Sequence, residues 1–232
     1  MYRSQMGEVS VTQKTLHLGA LLYPGFEMLD VFGPLEMFSM LGADVLRIHT
    51  VAEQEGPVGA ALGAEVGTGP KVLAEHGFGT SQELDLLLIP GGFGTLPELQ
   101  NEALTNFLQS RARRAQIVAS VCTGSALLAA AGLLDGYRAT SNKQLFALAT
   151  QQSDKVEWVE QARWVEDGKF FTSSGVSAGM DMSLAIIARL AGEEAADTVC
   201  RATEYRWHRD ADSDPFTGEL NSLAAQMGLT QT

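Results

Sequence analysis

Short, almost wholly apolar runs alternate along this chain with segments whose apolar residues recur at helical spacing, and glycine or proline marks most junctions. Residues 16–22 (L-H-L-G-A-L-L) read as a buried parallel strand ending at Pro24-Gly25, because a strand covered on both faces has no polar side to alternate with. Residues 35–41 follow Gly33-Pro34 at helical spacing, and proline suits a first helical turn. Residues 47–51 (R-I-H-T-V) predict a second strand, and the glycine-rich region 53–83 only short strands and turns. The clearest buried strand is 84–89 (L-D-L-L-L-I), closed by Pro90-Gly91-Gly92. A helix over 98–114 carries Leu99, Leu104, Phe107 and Leu108 on one face, with arginines near its C-terminus, where the dipole favours cations. Residues 116–121 (Q-I-V-A-S-V) predict a strand, and 125–131 an apolar helix beyond the turn Cys122-Thr123-Gly124. Asp167-Gly168, between 164–166 and 169–172, is the strongest two-residue hairpin signal in the chain. Ser177 is expected to cap a helix reaching Leu190 with Gly192 beyond it, and 193–206 to form a further helix. Strands alternating with helices predict one α/β domain with a mostly parallel sheet covered on both faces.

Composition supports a packed core: of 232 residues, 45% are hydrophobic and 19% charged, which excludes wholesale disorder. The domain is expected over 15–206, with extensions at 1–14 and 207–232. The second, with Trp207, His208 and the acidic D-A-D-S-D run, is a cover for the site, an extension of a dimer contact or a solvated surface segment, the last being favoured. A net charge of −12 repels polyanions, so nucleic acid and acidic membranes are poor partners, whereas a small molecule is not excluded. No apolar run approaches the roughly 20 residues that span a bilayer, and Arg3, Glu8 and Lys14 break up any signal-peptide pattern. Two cysteines build no disulfide scaffold, so a reducing, cytoplasmic setting is expected.

In doubly wound sheets the ligand lies outside the carboxyl ends of the strands. Three such ends carry unusual residues here: 24–30, 90–94 and 121–125. Cys122, in S-V-C-T-G-S, falls where a strand turns sharply into a helix, the geometry that holds a nucleophile on strained backbone above the sheet. A helix N-terminus there is expected to lower the thiol pKa; a thiol at about 8.5 is only roughly 3% ionised at pH 7. The alternative is an inert buried thiol, like Cys200. The Gly91-Gly92-Phe93-Gly94 loop can aim backbone N–H groups at a neighbouring atom, as an oxyanion hole requires, or be a plain tight turn. It lacks the phosphate-binding fingerprints. Asp30, flanked by Leu29, Val31 and Phe32, either caps a helix or sits as a desolvated acid with a raised pKa. Phe26, Met28, Phe32, Phe93 and Val176 suggest a small hydrophobic pocket. No metal is expected, because no pair among His17, His49, His76 and His208 has ligand spacing.

Four segments in this order, P-G-F-E-M-L-D-V-F-G-P, D-L-L-L-I-P-G-G-F-G, V-A-S-V-C-T-G-S-A-L-L-A-A-A-G-L-L-D-G-Y-R-A-T and T-S-S-G-V-S-A-G-M-D, resemble the ThiJ/PfpI superfamily of the class I glutamine amidotransferase-like fold. The similarity spans about 15–205, and C-T-G-S with L-D-V-F-G-P is particularly similar to the isonitrile hydratase branch and to the ligand-binding domains of some AraC-type regulators. The resemblance implies a flavodoxin-like three-layer sandwich with a nucleophile elbow, a homodimer, and no cofactor. It makes Cys122 the nucleophile, Asp30 its neighbouring acid, and the amides of Gly92 and Thr123 the groups facing the sulfur. It also brings the Thr123 side chain and the loop Gly175-Val176-Ser177 close to the cysteine.

The departures narrow the activity. No H-x-E for an amidotransferase is present, Thr123 replaces a peptidase-like histidine, and Asn142 stands where many relatives carry histidine. A cysteine without imidazole is a poor peptidase, because the departing amine lacks its usual acid. Hydration of an isonitrile to an N-substituted formamide, with Cys122 attacking and Asp30 moving the proton, fits that combination. A redox- or carbonyl-responsive stress protein of glyoxalase or deglycase type, and a non-catalytic small-molecule-binding domain, are the alternatives.

Overall fold

The computed structural model describes residues 14–230; the expected N-terminal extension lies almost wholly outside the described residues. The first half of the chain forms β1 (Leu16–Leu21), α1 (Met28–Ser39), β2 (Leu46–Ala52), β3 (Gly56–Gly59), β4 (Lys71–Ala74), β5 (His76–Gly77) and β6 (Leu86–Ile89). It continues through α2 (Thr95–Glu98), α3 (Glu102–Arg114), β7 (Ile117–Ser120) and α4 (Gly124–Ala130). Next come β8 (Arg138–Ala139), α5 (Phe146–Thr150), β9 (Glu157–Trp158), β10 (Trp164–Asp167), β11 (Phe170–Ser173), α6 (Ala178–Ala191), α7 (Glu193–Ala202) and α8 (Ser222–Gln226).

The central sheet runs β10-β11-β7-β6-β1-β2-β5. Every pairing in it is parallel except the β10–β11 hairpin, which turns on Asp167-Gly168 as expected. Its middle, β2-β1-β6-β7-β11, is the strand order of flavodoxin-like sheets, whose switch point lies between the first and third strands in that series. The four residues of β6 and of β7 are all buried, because helices cover both faces and leave no polar side. No helix among the described residues is long and apolar enough to cross a membrane.

Several boundaries differ from expectation for identifiable reasons. Helix α1 starts at Met28, seven residues before the predicted start, and Pro34 lies inside it. Proline there withholds one backbone bond, a local cost of about 3 kcal/mol in an isolated helix, but the face around it (Val31, Leu35, Phe38) is packed in the core. The predicted helix 98–114 is two helices, because Asn101 accepts the Leu104 N–H through its side chain and caps a fresh start. Ser177 occupies the N-cap position of α6 without a side-chain capping bond, and α7 ends at Ala202, short of 206.

The C-terminal segment is packed rather than solvated. Ala211 carbonyl oxygen accepts the Arg163 N–H at 2.7 Å, Asp214 N–H donates to Gln161 O at 2.8 Å, and Ala224 is fully buried. Asn221 makes two ties, its N–H to Lys143 O at 2.8 Å and its side-chain oxygen to Ala147 N–H at 2.6 Å. Beneath this segment, Arg163 Nε and Asp181 Oδ2 meet at 2.7 Å, both side chains buried.

Candidate active site

Three chain segments leave the carboxyl ends of adjacent strands and converge at the switch point: the β1–α1 connection, the β6–α2 loop and the β7–α4 turn. Cys122 forms the last of these. Its φ is +58°, a left-handed conformation that costs a side-chain-bearing residue about 1–2 kcal/mol and persists only where surroundings hold it. The holding is visible: Cys122 N–H donates to Ser174 O at 3.3 Å, and its carbonyl accepts from Ser141 Oγ at 3.1 Å and Ser125 Oγ at 3.4 Å. The elbow expected from sequence is therefore present, and Cys122 is 6% exposed.

The thiol pKa moves opposite to expectation. Burial pushes it well above its ordinary value, and Asp30 adds to the rise; the Thr123 backbone N–H and the Asn142 side chain oppose both without overcoming them. A short helix start cannot offset the loss of hydration around a sulfur this enclosed. Asn142, which sequence alone could not aim, is one of the sulfur's partners; its Oδ1 accepts the Leu145 N–H at 3.0 Å, which fixes the amide. Gly175 presses in from the other side. A Cβ there would lie 2.6 Å from both Cys122 Sγ and Asn142 Nδ2, so only glycine leaves the approach to the sulfur open.

Asp30 sits in the first turn of α1, fully buried. It does not cap that helix: Oδ2 accepts the Gly91 N–H at 2.8 Å, whereas Oδ1 is buried with no hydrogen-bond partner among the described residues. Loss of hydration raises its pKa well above the carboxylate range; the Gly91 amide and the Cys122 thiol oppose this, and Glu27 reinforces it. Burial thus favours the neutral form of both the acid and the thiol beside it.

The Gly92 amide, expected to face the sulfur, has a hydrogen-bond partner in the elbow's threonine. It donates to Thr123 Oγ1 at 3.1 Å, and that hydroxyl also meets Thr95 Oγ1 at 2.9 Å. The Thr123 side chain is thereby a tie between loop and elbow, while its backbone N–H alone serves the sulfur. Sequence reasoning missed Tyr23 and Thr95, which extend this chain: Tyr23 OH donates to Pro90 O at 2.8 Å and lies 3.0 Å from Thr95 Oγ1. Their position at the ends of β1 and the β6 loop was the available signal. The supposed apolar pocket is only partly assembled, because Phe26 is fully buried in the core and Phe32 is 45% exposed. Gly91 is buried against Cys122 Cβ and Thr123, while Phe93, Val176 and Ser177 are half-buried.

A cysteine on a strained elbow over a flavodoxin-ordered sheet, with a buried acid beside it, defines the class of fold and site. The chain belongs to the DJ-1/PfpI family, whose model matches residues 19–189. Isonitrile hydratase of Pseudomonas putida is 35% identical over 206 residues, covering 87% of this chain and 81% of that protein. The HTH-type transcriptional regulator GbdR of Pseudomonas aeruginosa is 31% identical over 192 residues, 81% of this chain, which spans only 50% of the regulator. A solved ThiJ/PfpI family protein from Pseudomonas syringae superposes with a TM-score of 0.74 at 30% identity, covering 94% of this chain and 86% of that one.

Proposed function

We propose that the protein hydrates an isonitrile, R–N≡C, to the N-substituted formamide, R–NH–CHO, as a cofactor-free cytoplasmic homodimer. One observation carries this reading: Asp30 is fully buried beside the Cys122 thiol with one oxygen lacking a hydrogen-bond partner among the described residues, and burial there favours the proton-bearing form of the acid. The likeness to isonitrile hydratase adds support. The terminal carbon of an isonitrile is basic, so a neutral carboxyl group is the right reagent for it. Asp30 gives its proton to that carbon, and Cys122 sulfur bonds to the same carbon while its own proton returns to Asp30. The product is the thioimidate R–N=CH–S. Water then adds across C=N, placing hydroxyl on carbon and hydrogen on nitrogen. The C–S bond breaks, the hydroxyl proton passes to sulfur, and formamide leaves. No preformed thiolate is needed, which suits the pKa directions at this site.

Incubation with an alkyl isonitrile, following formamide by chromatography, tests the proposal. Wild-type turnover and a loss of at least about a thousandfold in Cys122→Ala are expected; equal rates in both, or none in either, overturn it. The likeness to GbdR favours a second reading, ligand binding without turnover, which saturable isonitrile binding with no formamide would reveal.

A further inference from the structure

Outside the cysteine site, the described residues place three histidines together. His17, His49 and His76 come one each from neighbouring strands β1, β2 and β5. The register explains why. His17 pairs with Arg47, His49 with Gly19, and His76 with Val51, so each imidazole is offset by two residues from the next and points to the same face of the sheet. The rings of His17 and His49 stack at 5.2 Å between centroids, and those of His49 and His76 lie 5.5 Å apart.

Glu75 joins them. A straight strand would send consecutive side chains to opposite faces, but the chain bends at Glu75 before β5, and its carboxylate reaches the same cluster as His76. One donor atom each from His49, Glu75 and His76 lies within 4.8 Å of the other two. These groups line a cleft of about 530 Å³ at the sheet edge, with Ser39, Gly42 and Arg47 on its other walls. Behind it, His49 Nε2 meets His17 Nδ1 at 2.9 Å and the Gln82 amide at 2.5 Å, which fixes the His49 ring. The Glu75 carboxylate accepts the Thr50 N–H at 3.3 Å.

We propose that His49, Glu75 and His76 form a binding site for a divalent transition-metal ion of the zinc class, with His17 and Gln82 orienting His49 from behind. Two imidazoles and a carboxylate suit zinc, nickel or copper and give magnesium or calcium little to bind. Metal–ligand bonds of about 2.0–2.2 Å require the donors to draw in by roughly an ångström, which the exposed Glu75 side chain and the edge strand permit. The cleft leaves an outward coordination position for water or a small anion. Residues lining the cysteine site take no part, so this site stands whether or not isonitrile is the substrate.

Titration calorimetry of zinc chloride into the full chain tests the assignment. One zinc ion per chain with a micromolar dissociation constant is expected in wild type and in Cys122→Ala, and no heat from magnesium chloride. Glu75→Gln and His76→Ala, both at the surface and checked for an unchanged circular-dichroism spectrum, each weaken binding by at least about tenfold. Cobalt substituted for zinc gives visible d–d absorption that the Glu75→Gln/His76→Ala double variant abolishes. A wild-type dissociation constant above about 1 mM, binding that survives in the double variant, or loss of binding in Cys122→Ala overturns the proposal.

Discussion

Asp30 and Asp181 are both fully buried, and their surroundings could hardly differ more. Asp181 receives Arg163 Nε at 2.7 Å, Tyr205 OH at 3.1 Å and the His208 N–H at 2.8 Å. Asp30 receives the Gly91 N–H, has one oxygen without a partner among the described residues, and has a thiol for company. Burial alone therefore does not set an acid's role. A buried carboxyl group met by a guanidinium becomes part of the frame, whereas burial without a cation favours the proton-bearing form.

The largest effect that sharpens this contrast should come from Asp181→Asn. It leaves Arg163 as a buried charge without its main partner and is expected to lower stability by about 3 kcal/mol, read from urea denaturation. Whatever folds should retain turnover within a small factor. Asp30→Asn should do the reverse, losing turnover by about a hundredfold or more while not destabilising the fold at neutral pH. The sign follows from the raised pKa. A carboxyl whose folded-state pKa exceeds its unfolded value is neutral to stability in acid and becomes a growing liability as pH rises past the ordinary value of about 4. The melting temperature of Asp30→Asn relative to wild type should thus climb between pH 4 and neutrality; a constant difference would mean that Asp30 is ionised in the native protein.

Lys143 provides the smallest and subtlest case. It is 2% exposed, held by Thr140 Oγ1 at 2.9 Å and Ala162 O at 2.6 Å, and burial pushes its pKa down to about 8. A base lowered in the folded state loses its proton there first, so folding is increasingly favoured as pH rises from about 8 toward the unfolded value of about 10.4. Lys143→Met should remove that alkaline gain in a chemical-denaturation series, whatever it does to stability at pH 7.

Local signals carried the architecture well. The buried runs before Pro24, Pro90 and Cys122 became β1, β6 and β7, and Asp167-Gly168 became the hairpin, because apolar continuity and turn chemistry act over a few residues. The cysteine elbow was legible for the same reason, being a strand, a crowded turn and a helix in one short stretch. What escaped were quantities set by tertiary contact. Whether Cys122 is ionised depends on how completely the site is dried, and Gly92 N–H was already committed to Thr123, 31 residues away. Likewise, His17 and His49 are 32 positions apart, and only the β1–β2 register makes them neighbours. Pro34 misled as a start signal because core packing outweighed the lost backbone bond.

The double tie made by Asn221 also reaches the chemistry from a distance. Lys143, whose carbonyl Asn221 clasps, follows directly after the asparagine that meets the Cys122 sulfur. Peeling away the last stretch of chain would slacken the peptide unit that aims this amide, so a proteolytic nick or a bulky fusion near the C-terminus would be felt at the thiol as well as at the surface.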